Sequence, residues 1–429
     1  MKKVIKKFLI LAGILAGSVI VGYLLLAAVY CLPVSVIQKN ISKTADVLAN
    51  EGITRYIIAG YEPSKQDNWT EACMLLIAGH ELSGSPFKEA LENNLEADVF
   101  SGRAMYTLAE KYSDEGLKDT GVWSYGRYWH GYLIFLKPLL LVFNYVQIRV
   151  IMGAAQMLLM AAVISVLAYR RRTKMIIPVI VTYIFLNPAV MSVSMQYDHV
   201  FSVTFIQLLF ISIFDNFYRK KSNWIFHFFA AGILTAYFDL LTCPMVSFGV
   251  PLVFLLAINS GQDFKFSENI LAVIESGISW LAGFGLFWLS KILIGSAVTG
   301  INYIEDALNQ ASNWSGSGNY EVEGLSRFQV TVSALIKTAG SVKIWWPFLA
   351  LVLAAAVIVM KKNRQMVLKG VILALCACLP LLWFTVLSSH SYIHTHFALR
   401  NLAISVMAVT AFFAVSIESR TESAGRKVE

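Results

Sequence analysis

The sequence predicts an all-α membrane protein of about ten transmembrane helices, with a large helical loop between the first helix and the second. Of its 429 residues, 57% are hydrophobic and 14% are charged, whereas about 25% of the residues in a soluble domain are charged. Long apolar runs recur along the chain. Because a bilayer core offers backbone groups no partners, continuous runs of this length form helices.

Short clusters of basic residues flank these runs. By the positive-inside rule, they determine which end of each span faces the cytoplasm. The clusters lie at 2–7, 170–174, 219–221, 361–369 and 420–427. With both termini in the cytoplasm, the predicted spans are 8–32, 150–169, 175–193, 200–217, 224–238, 245–258, 270–297, one ending near 361, 370–387 and one after Arg400. The first run is too long for a signal peptide and predicts a retained anchor.

One integral membrane domain, 1–429, is therefore expected in the cell membrane. The net charge of +8 is accounted for by the flanking clusters, so no nucleic-acid partner is predicted. The five cysteines do not indicate a disulfide framework. No GxxxxGK[ST] string is present, so direct use of a nucleotide is not indicated.

Apart from the basic clusters that flank the apolar runs, all notable polar and aromatic clusters lie on the predicted extracytoplasmic side. They fall in a first loop, 33–130, with interfacial helices, in a second loop, 299–343, and in short turns between spans. This asymmetry predicts an active or binding site on the outer face.

Asp67 is the acidic residue of interest in the first loop, within the stretch QDNWTEA. It precedes a predicted helix that starts near Asn68 or Trp69, so it can cap that helix by binding free N–H groups. A catalytic carboxylate is the alternative, and the sequence leaves both open.

The end of the first loop carries Arg127, Tyr128, Trp129 and His130. Arginine suits phosphate because its planar fork forms paired hydrogen bonds, and aromatic faces suit sugar rings. An interfacial aromatic belt with a snorkelling arginine is an equally good interpretation.

A third cluster carries three histidines, His390, His394 and His396, followed by Arg400. His390 and His394 are four residues apart, so a helical turn would place both on one face. Contacts to a lipid headgroup or diphosphate are favoured over a metal site, which needs three or four convergent ligands. A purely structural loop is also open. Charges near the membrane, such as Arg400, are functional candidates. Asp198 and Asp239 lie on two further exterior turns.

The layout resembles the GT-C superfamily of integral-membrane glycosyltransferases, which includes aminoarabinose transferases and protein O-mannosyltransferases. In QDNWTEA, Asp67 occupies the place of their catalytic first-loop acid. The segment RYWHGYLIFLKP, from Arg127 to Pro138, looks like a divergent version of their basic, proline-containing segment. The chain departs from the pattern in lacking an HPPL or KPPL string and an early acidic pair.

The resemblance implies a polyprenyl-phosphate-linked sugar as donor and an extracytoplasmic acceptor, which would be an envelope glycan or glycolipid. Asp67 would be the catalytic base. The donor phosphate or sugar would be bound by Arg127, Tyr128, Trp129, His130, His390, His394, His396 and Arg400. Asp198 and Asp239 would orient the acceptor or a divalent metal, and no cofactor is certain. The alternatives are a lipid-linked sugar flippase or other multi-pass transporter, and a non-catalytic partner in envelope assembly.

Overall fold

The computed structural model describes residues 2–117, 120–261, 264–316, 322, 324–360 and 364–425. It is 78% helical, which confirms a nearly all-α fold. Four three-residue strands in the described part form two antiparallel pairs: β1 (Thr54–Tyr56) with β2 (Lys65–Asp67), and β3 (Asn94–Glu96) with β4 (Val122–Ser124). Residues 361–363 and 426–429, which carry parts of two basic clusters, lie outside the described residues.

The helices follow one another along the whole described chain. They are α1 (Lys2–Tyr30), α2 (Val34–Ser42), α3 (Ala45–Glu51), α4 (Asn68–Gly79), α5 (Pro86–Glu92), α6 (Ala104–Lys111), α7 (Leu133–Leu140), α8 (Tyr145–Tyr169), α9 (Ile176–Leu186), α10 (Pro188–Met191), α11 (Met195–Ile213), α12 (Asp215–Tyr218), α13 (Trp224–Phe238), α14 (Val246–Ile258), α15 (Phe266–Thr299), α16 (Tyr303–Ser315), α17 (Arg327–Ser341), α18 (Trp345–Val359), α19 (Arg364–Ala377), α20 (Leu379–Val386), α21 (Ser388–Ile393), α22 (Thr395–Ala398) and α23 (Ala403–Gly425). A 3₁₀ turn, Leu399–Leu402, joins α22 to α23.

Five helical segments of the described chain are long and apolar enough to cross a membrane. They are Val4–Tyr30, Tyr145–Tyr169, Phe266–Thr299, Arg364–Val386 and Thr395–Ile417. A sixth results if α17 and α18, which meet at a bend of 80°, count as one span. These segments are compatible with a multi-pass membrane protein, but the predicted ten spans are not confirmed.

The predicted third span, 175–193, is one that does not form a single helix of spanning length. Its helix α9 has 11 residues, about 16 Å at 1.5 Å per residue, against a hydrocarbon core of about 30 Å. Asn187 ends α9 in a left-handed conformation, φ 65°, and Pro188 starts α10. Because Pro188 has no N–H and disfavours helical geometry at the preceding residue, the apolar run is divided into two helices.

The segment 33–130 is folded against the long helices. Leu75 and Leu76 of α4 belong to the same hydrophobic core as Leu26 of α1 and Leu133 of α7. The helix that the sequence predicts to start near Asn68 or Trp69 is confirmed as α4. Since α4 is buried along nearly its whole length, its first turn holds a fixed position relative to α1 and α7.

Candidate functional site

Asp67 is the N-cap of α4, as the sequence predicts. Its Oδ1 accepts a hydrogen bond from the Trp69 backbone N at 3.2 Å, and its Oδ2 accepts one from Thr70 Oγ1 at 2.5 Å. The side chain is buried, and burial raises the pKa of Asp67 although its hydrogen bonds oppose the shift. A carboxylate with a raised pKa is a better proton acceptor than an exposed one, so capping and catalysis are compatible.

The N-terminus of α11 lies beside Asp67, and Glu71 holds it there. The Glu71 carboxylate accepts hydrogen bonds from Ser194 Oγ and from the backbone N atoms of Met195 and Gln196, each at 3.0 Å. An acidic side chain from α4 thus satisfies free N–H groups of α11 and complements its dipole. This cap positions the Gln196 side chain, whose Nε2 lies 3.4 Å from Asp67 Oδ2.

Arg400 approaches the same place from the turn between α22 and α23. Its guanidinium carbon lies 3.8 Å from the centre of the Tyr197 ring, a cation–π contact. Its Nη2 donates to Pro63 O at 2.8 Å, and its Nη1 donates to His396 O. Asp67 and Arg400, which are 333 positions apart in the chain, therefore contact adjacent residues at the start of α11.

The three histidines pack together next to Arg400. The rings of His390 and His394 lie 5.1 Å apart, as their spacing predicts, and each lies 5.2 Å from the Trp314 ring. The His396 ring lies 6.2 Å from that of His394. Burial lowers the pKa of His394 to about 4 and the pKa of His390 well below its usual value. Both imidazoles are therefore neutral at pH 7 and can bind a ligand only as hydrogen-bonding or stacking groups.

Arg127 already has an anionic partner. Its Nη1 lies 2.7 and 2.9 Å from the two carboxylate oxygens of Asp306 on α16, and its guanidinium carbon lies 5.0 Å from the centre of the Tyr125 ring. The Asp306 carboxylate therefore neutralises Arg127. A donor phosphate would have to displace or share this ion pair.

Trp129 and His130 are packed into the protein. Trp129 Nε1 donates to Phe287 O at 2.8 Å, and the two rings stack 4.8 Å apart. Both ring nitrogens of His130 have partners, the Tyr132 hydroxyl at 3.1 Å and the Tyr125 carbonyl at 2.9 Å. Burial lowers the pKa of His130 to about 3. These contacts indicate that both residues fix the end of the 33–130 segment.

Asp239 is buried directly after the last residue of α13. Its Oδ1 accepts a hydrogen bond from Thr242 N at 3.0 Å, and burial raises its pKa to about 6. Burial is the main cause that raises the pKa of the Cys243 thiol. The Asp239 carboxylate raises this pKa further, and Arg400 lowers it. Asp239 also contributes to the raised pKa of Tyr128, although burial is the main cause. Asp239 therefore lies within electrostatic range of Tyr128 and shares the neighbour Cys243 with Arg400.

Asp198 lies in the first turn of α11 and faces α8. Gln156 Nε2 donates to its Oδ1 at 2.6 Å, and Ser202 Oγ lies 3.4 Å from its Oδ2. Burial raises its pKa to about 7. It is thus close in sequence to Gln196 but has its own set of partners.

We expect the ionisation of Asp198 to make the protein less stable as pH rises. Because its folded pKa exceeds the unfolded value of 3.8, its contribution is complete below that value and is lost as pH rises through about 7. Thermal unfolding of the wild type and of Asp198→Asn tests this between pH 5 and 8. Relative to the variant, the wild type should lose on the order of 2–4 kcal/mol. Parallel curves for the two proteins would contradict the assignment.

No family model, curated protein or solved structure matches this chain. Among the described residues, no three His, Cys, Asp or Glu side chains are arranged to hold a metal ion.

Several buried polar atoms around Arg400 form no hydrogen bond within the described chain. They are Gln196 Oε1, Arg400 Nε and both polar side-chain atoms of Asn401. Asn401 is fully buried. An unpaired buried polar group costs about 1–3 kcal/mol, so this group is suited to a polar ligand that donates and accepts hydrogen bonds.

Sequence reasoning missed Gln196 and Tyr197, which Asp67 and Arg400 contact. It also missed the buried Asn401 and the role of Glu71 as a cap. The sequence signal that could have indicated Gln196 and Tyr197 is the polar stretch Gln196–His199, which separates two apolar runs. The partner of that stretch could not be found in this way, because Glu71 and Gln196 are 125 positions apart.

Proposed function

We propose that this chain is an integral-membrane glycosyltransferase of the GT-C type. It moves a sugar from a polyprenyl-phosphate donor to an extracytoplasmic hydroxyl or amine of an envelope glycan or glycolipid. The observation that carries this proposal is the meeting of Asp67 and Arg400 on either side of Gln196 and Tyr197. A buried acid and a buried guanidinium at one helix start provide a proton acceptor and a positive charge for a departing phosphate.

The chemistry is a displacement at the anomeric carbon of the donor sugar. The acceptor oxygen or nitrogen forms the new bond to that carbon while Asp67 takes its proton. The bond from the anomeric carbon to the phosphate oxygen breaks, and the polyprenyl phosphate leaves with the electron pair. Arg400 stabilises the negative charge that develops on the leaving oxygen, because positive charge held in advance requires no reorganisation during the reaction.

The unpaired polar atoms near Arg400 support a sugar-phosphate ligand. Gln196 Oε1 can accept a hydrogen bond from a sugar hydroxyl, and Arg400 Nε can donate one to a phosphate oxygen.

The topology in this proposal is that of a ten-span protein with both termini in the cytoplasm. The short helices α9, α13 and α14 are then partly inserted segments, or spans across a locally thinned bilayer. In this topology 33–130, 299–343 and the turn with His390 and Arg400 are extracytoplasmic, and the basic clusters face the cytoplasm.

The test is turnover of a lipid-linked sugar by the purified full-length protein in vesicles. We expect release of polyprenyl phosphate from a polyprenyl-phosphate hexose or aminosugar, together with loss of a surface glycan in a deletion strain. Movement of the intact donor across the bilayer without cleavage would favour a flippase. Glycan loss in the strain without cleavage of any donor by the protein would favour an assembly partner. Either outcome would reject the proposal.

A further inference from the structure

Helix α17 has an exposed apolar stripe, which consists of Phe328, Val332 and Ile336. These side chains are 76%, 37% and 67% exposed. They follow one another at intervals of four residues, so they lie along one side of the helix. Because removing such side chains from water is favourable, we expect this stripe to be covered where the protein works.

The opposite side of α17 packs against the protein. Val330, Ala334 and Thr338 are buried, and they are displaced from the stripe by two positions, which is about 200° around the helix. The helix packs against α21 and α22, and Lys337 Nζ donates a hydrogen bond to Tyr392 O at 3.1 Å. The stripe is therefore turned away from these two helices.

The chain itself offers little that could cover the stripe. The exposed fractions of its side chains show that the described residues leave it open. Among the residues that precede α17 and lie outside the described part, 317–321 and 323, only Tyr320 has a large hydrophobic side chain. We therefore expect the cover to come from outside the chain.

The orientation of α17 indicates what that cover is. Helix α17 meets α18 at a bend of 80°, and α18 is an apolar helix without a charged residue. Membrane-spanning helices tilt by about 20° on average from the bilayer normal, so with α18 as a span α17 lies within about 30° of the membrane plane. Trp345 and Trp346 start α18 at the bend, and tryptophan is enriched where a span enters the membrane–water interface.

We propose that α17 is an interfacial helix whose apolar stripe is inserted into the surface of the lipid bilayer. In the topology proposed above, this is the outer leaflet. Such a helix lies at the boundary between headgroups and acyl chains, and the exposed side chains of Arg327 and Lys343 can extend from there to the headgroups. Since α17 packs against α21 and α22, its insertion also sets the height of the turn with Arg400 relative to the headgroups. Only the use of that height for a donor phosphate rests on the proposed function.

The experiment measures the depth of the stripe in vesicles of phosphatidylcholine and phosphatidylglycerol. Ile336→Cys is made in the full-length protein together with Cys31→Ser and Cys378→Ser, which remove the two exposed cysteines, and is labelled with a polarity-sensitive fluorophore. We expect blue-shifted emission that is quenched more strongly by a lipid with a nitroxide near the headgroup than by one with a nitroxide near the bilayer centre. Iodide on both sides of the vesicle should quench it weakly.

Two control positions calibrate the quenching. Leu351→Cys, at an exposed position in the middle of α18, should be quenched most by the nitroxide near the bilayer centre. Asp46→Cys, at an exposed position of α3, should be quenched most by iodide. If the label at Ile336→Cys behaves like that at Leu351→Cys, α17 continues the span; if it behaves like that at Asp46→Cys, the stripe faces water. Protection from all three quenchers would mean that another protein chain covers the stripe. Each of these three outcomes overturns the proposal, whether or not the protein transfers sugar.

Discussion

Replacing Asp67 by asparagine should slow sugar transfer by a factor of about 10² to 10⁴, the usual contribution of a general base, and should leave the fold intact. Asparagine is as good an N-cap as aspartate, so its Oδ1 can still accept the hydrogen bond from the Trp69 backbone N. It cannot accept a proton from the acceptor substrate. The measurement is the rate of polyprenyl phosphate release by the purified variant, together with its thermal unfolding midpoint.

Asp46→Asn is the matched control for this experiment. Asp46 lies in the first turn of α3, in the same 33–130 segment, but its side chain is exposed. Its loss changes the net charge equally, so the control should transfer sugar at the wild-type rate. If Asp67→Asn also transfers at the wild-type rate, Asp67 is only a helix cap. If its unfolding midpoint falls by many degrees, the carboxylate serves mainly to fix α4 against α11.

What the sequence predicts correctly depends on local interactions. Asp67 caps α4, and His390 and His394 share one face, because capping and i, i+4 proximity involve residues within one helical turn. The alternation of basic clusters and apolar runs likewise predicts an all-helical chain with several helices of spanning length.

What the sequence does not predict depends on contacts between distant residues. Arg127 and Asp306 are 179 positions apart, and no periodicity identifies a partner at that separation. The neutral state of the histidines follows from burial by Trp314 and Phe397, which only the tertiary structure supplies. Helix lengths are not predicted for the same reason: hydropathy registers the apolar run at 175–193, and not the break at Asn187.

The site requires that the 33–130 segment stay attached to the long helices. Two buried lysines contribute to this attachment by binding carbonyl groups at the C-terminal ends of its helices. Lys137 Nζ on α7 donates to Ala78 O at the end of α4 at 2.8 Å. Lys291 Nζ on α15 donates to Ala90 O near the end of α5 at 2.6 Å. A lysine there donates to carbonyls that the helix leaves free. Lys291, inside α15, therefore binds the segment that carries Asp67.

Replacing Lys291 by methionine should therefore destabilise the protein by about 1–3 kcal/mol for each buried acceptor that loses its donor. Methionine keeps the aliphatic volume but leaves Ala90 O and Asn93 Oδ1, which Lys291 binds at 2.9 Å, without that donor. Thermal unfolding and limited proteolysis of the 33–130 segment measure the effect. Cleavage should become faster within this segment before the long helices are affected.

Leu289→Met is the matched control, since this residue lies on the same helix with a side chain that is 41% exposed. A substitution that conserves volume should change stability by less than about 1.5 kcal/mol. If Lys291→Met resembles this control in both measurements, the apolar core shared by α1, α4 and α7 is sufficient to hold the segment. If only Lys291→Met accelerates cleavage and also lowers sugar transfer, Lys291 acts as a positioning residue, because it contacts the 33–130 segment and Asp67 lies on another helix of that segment.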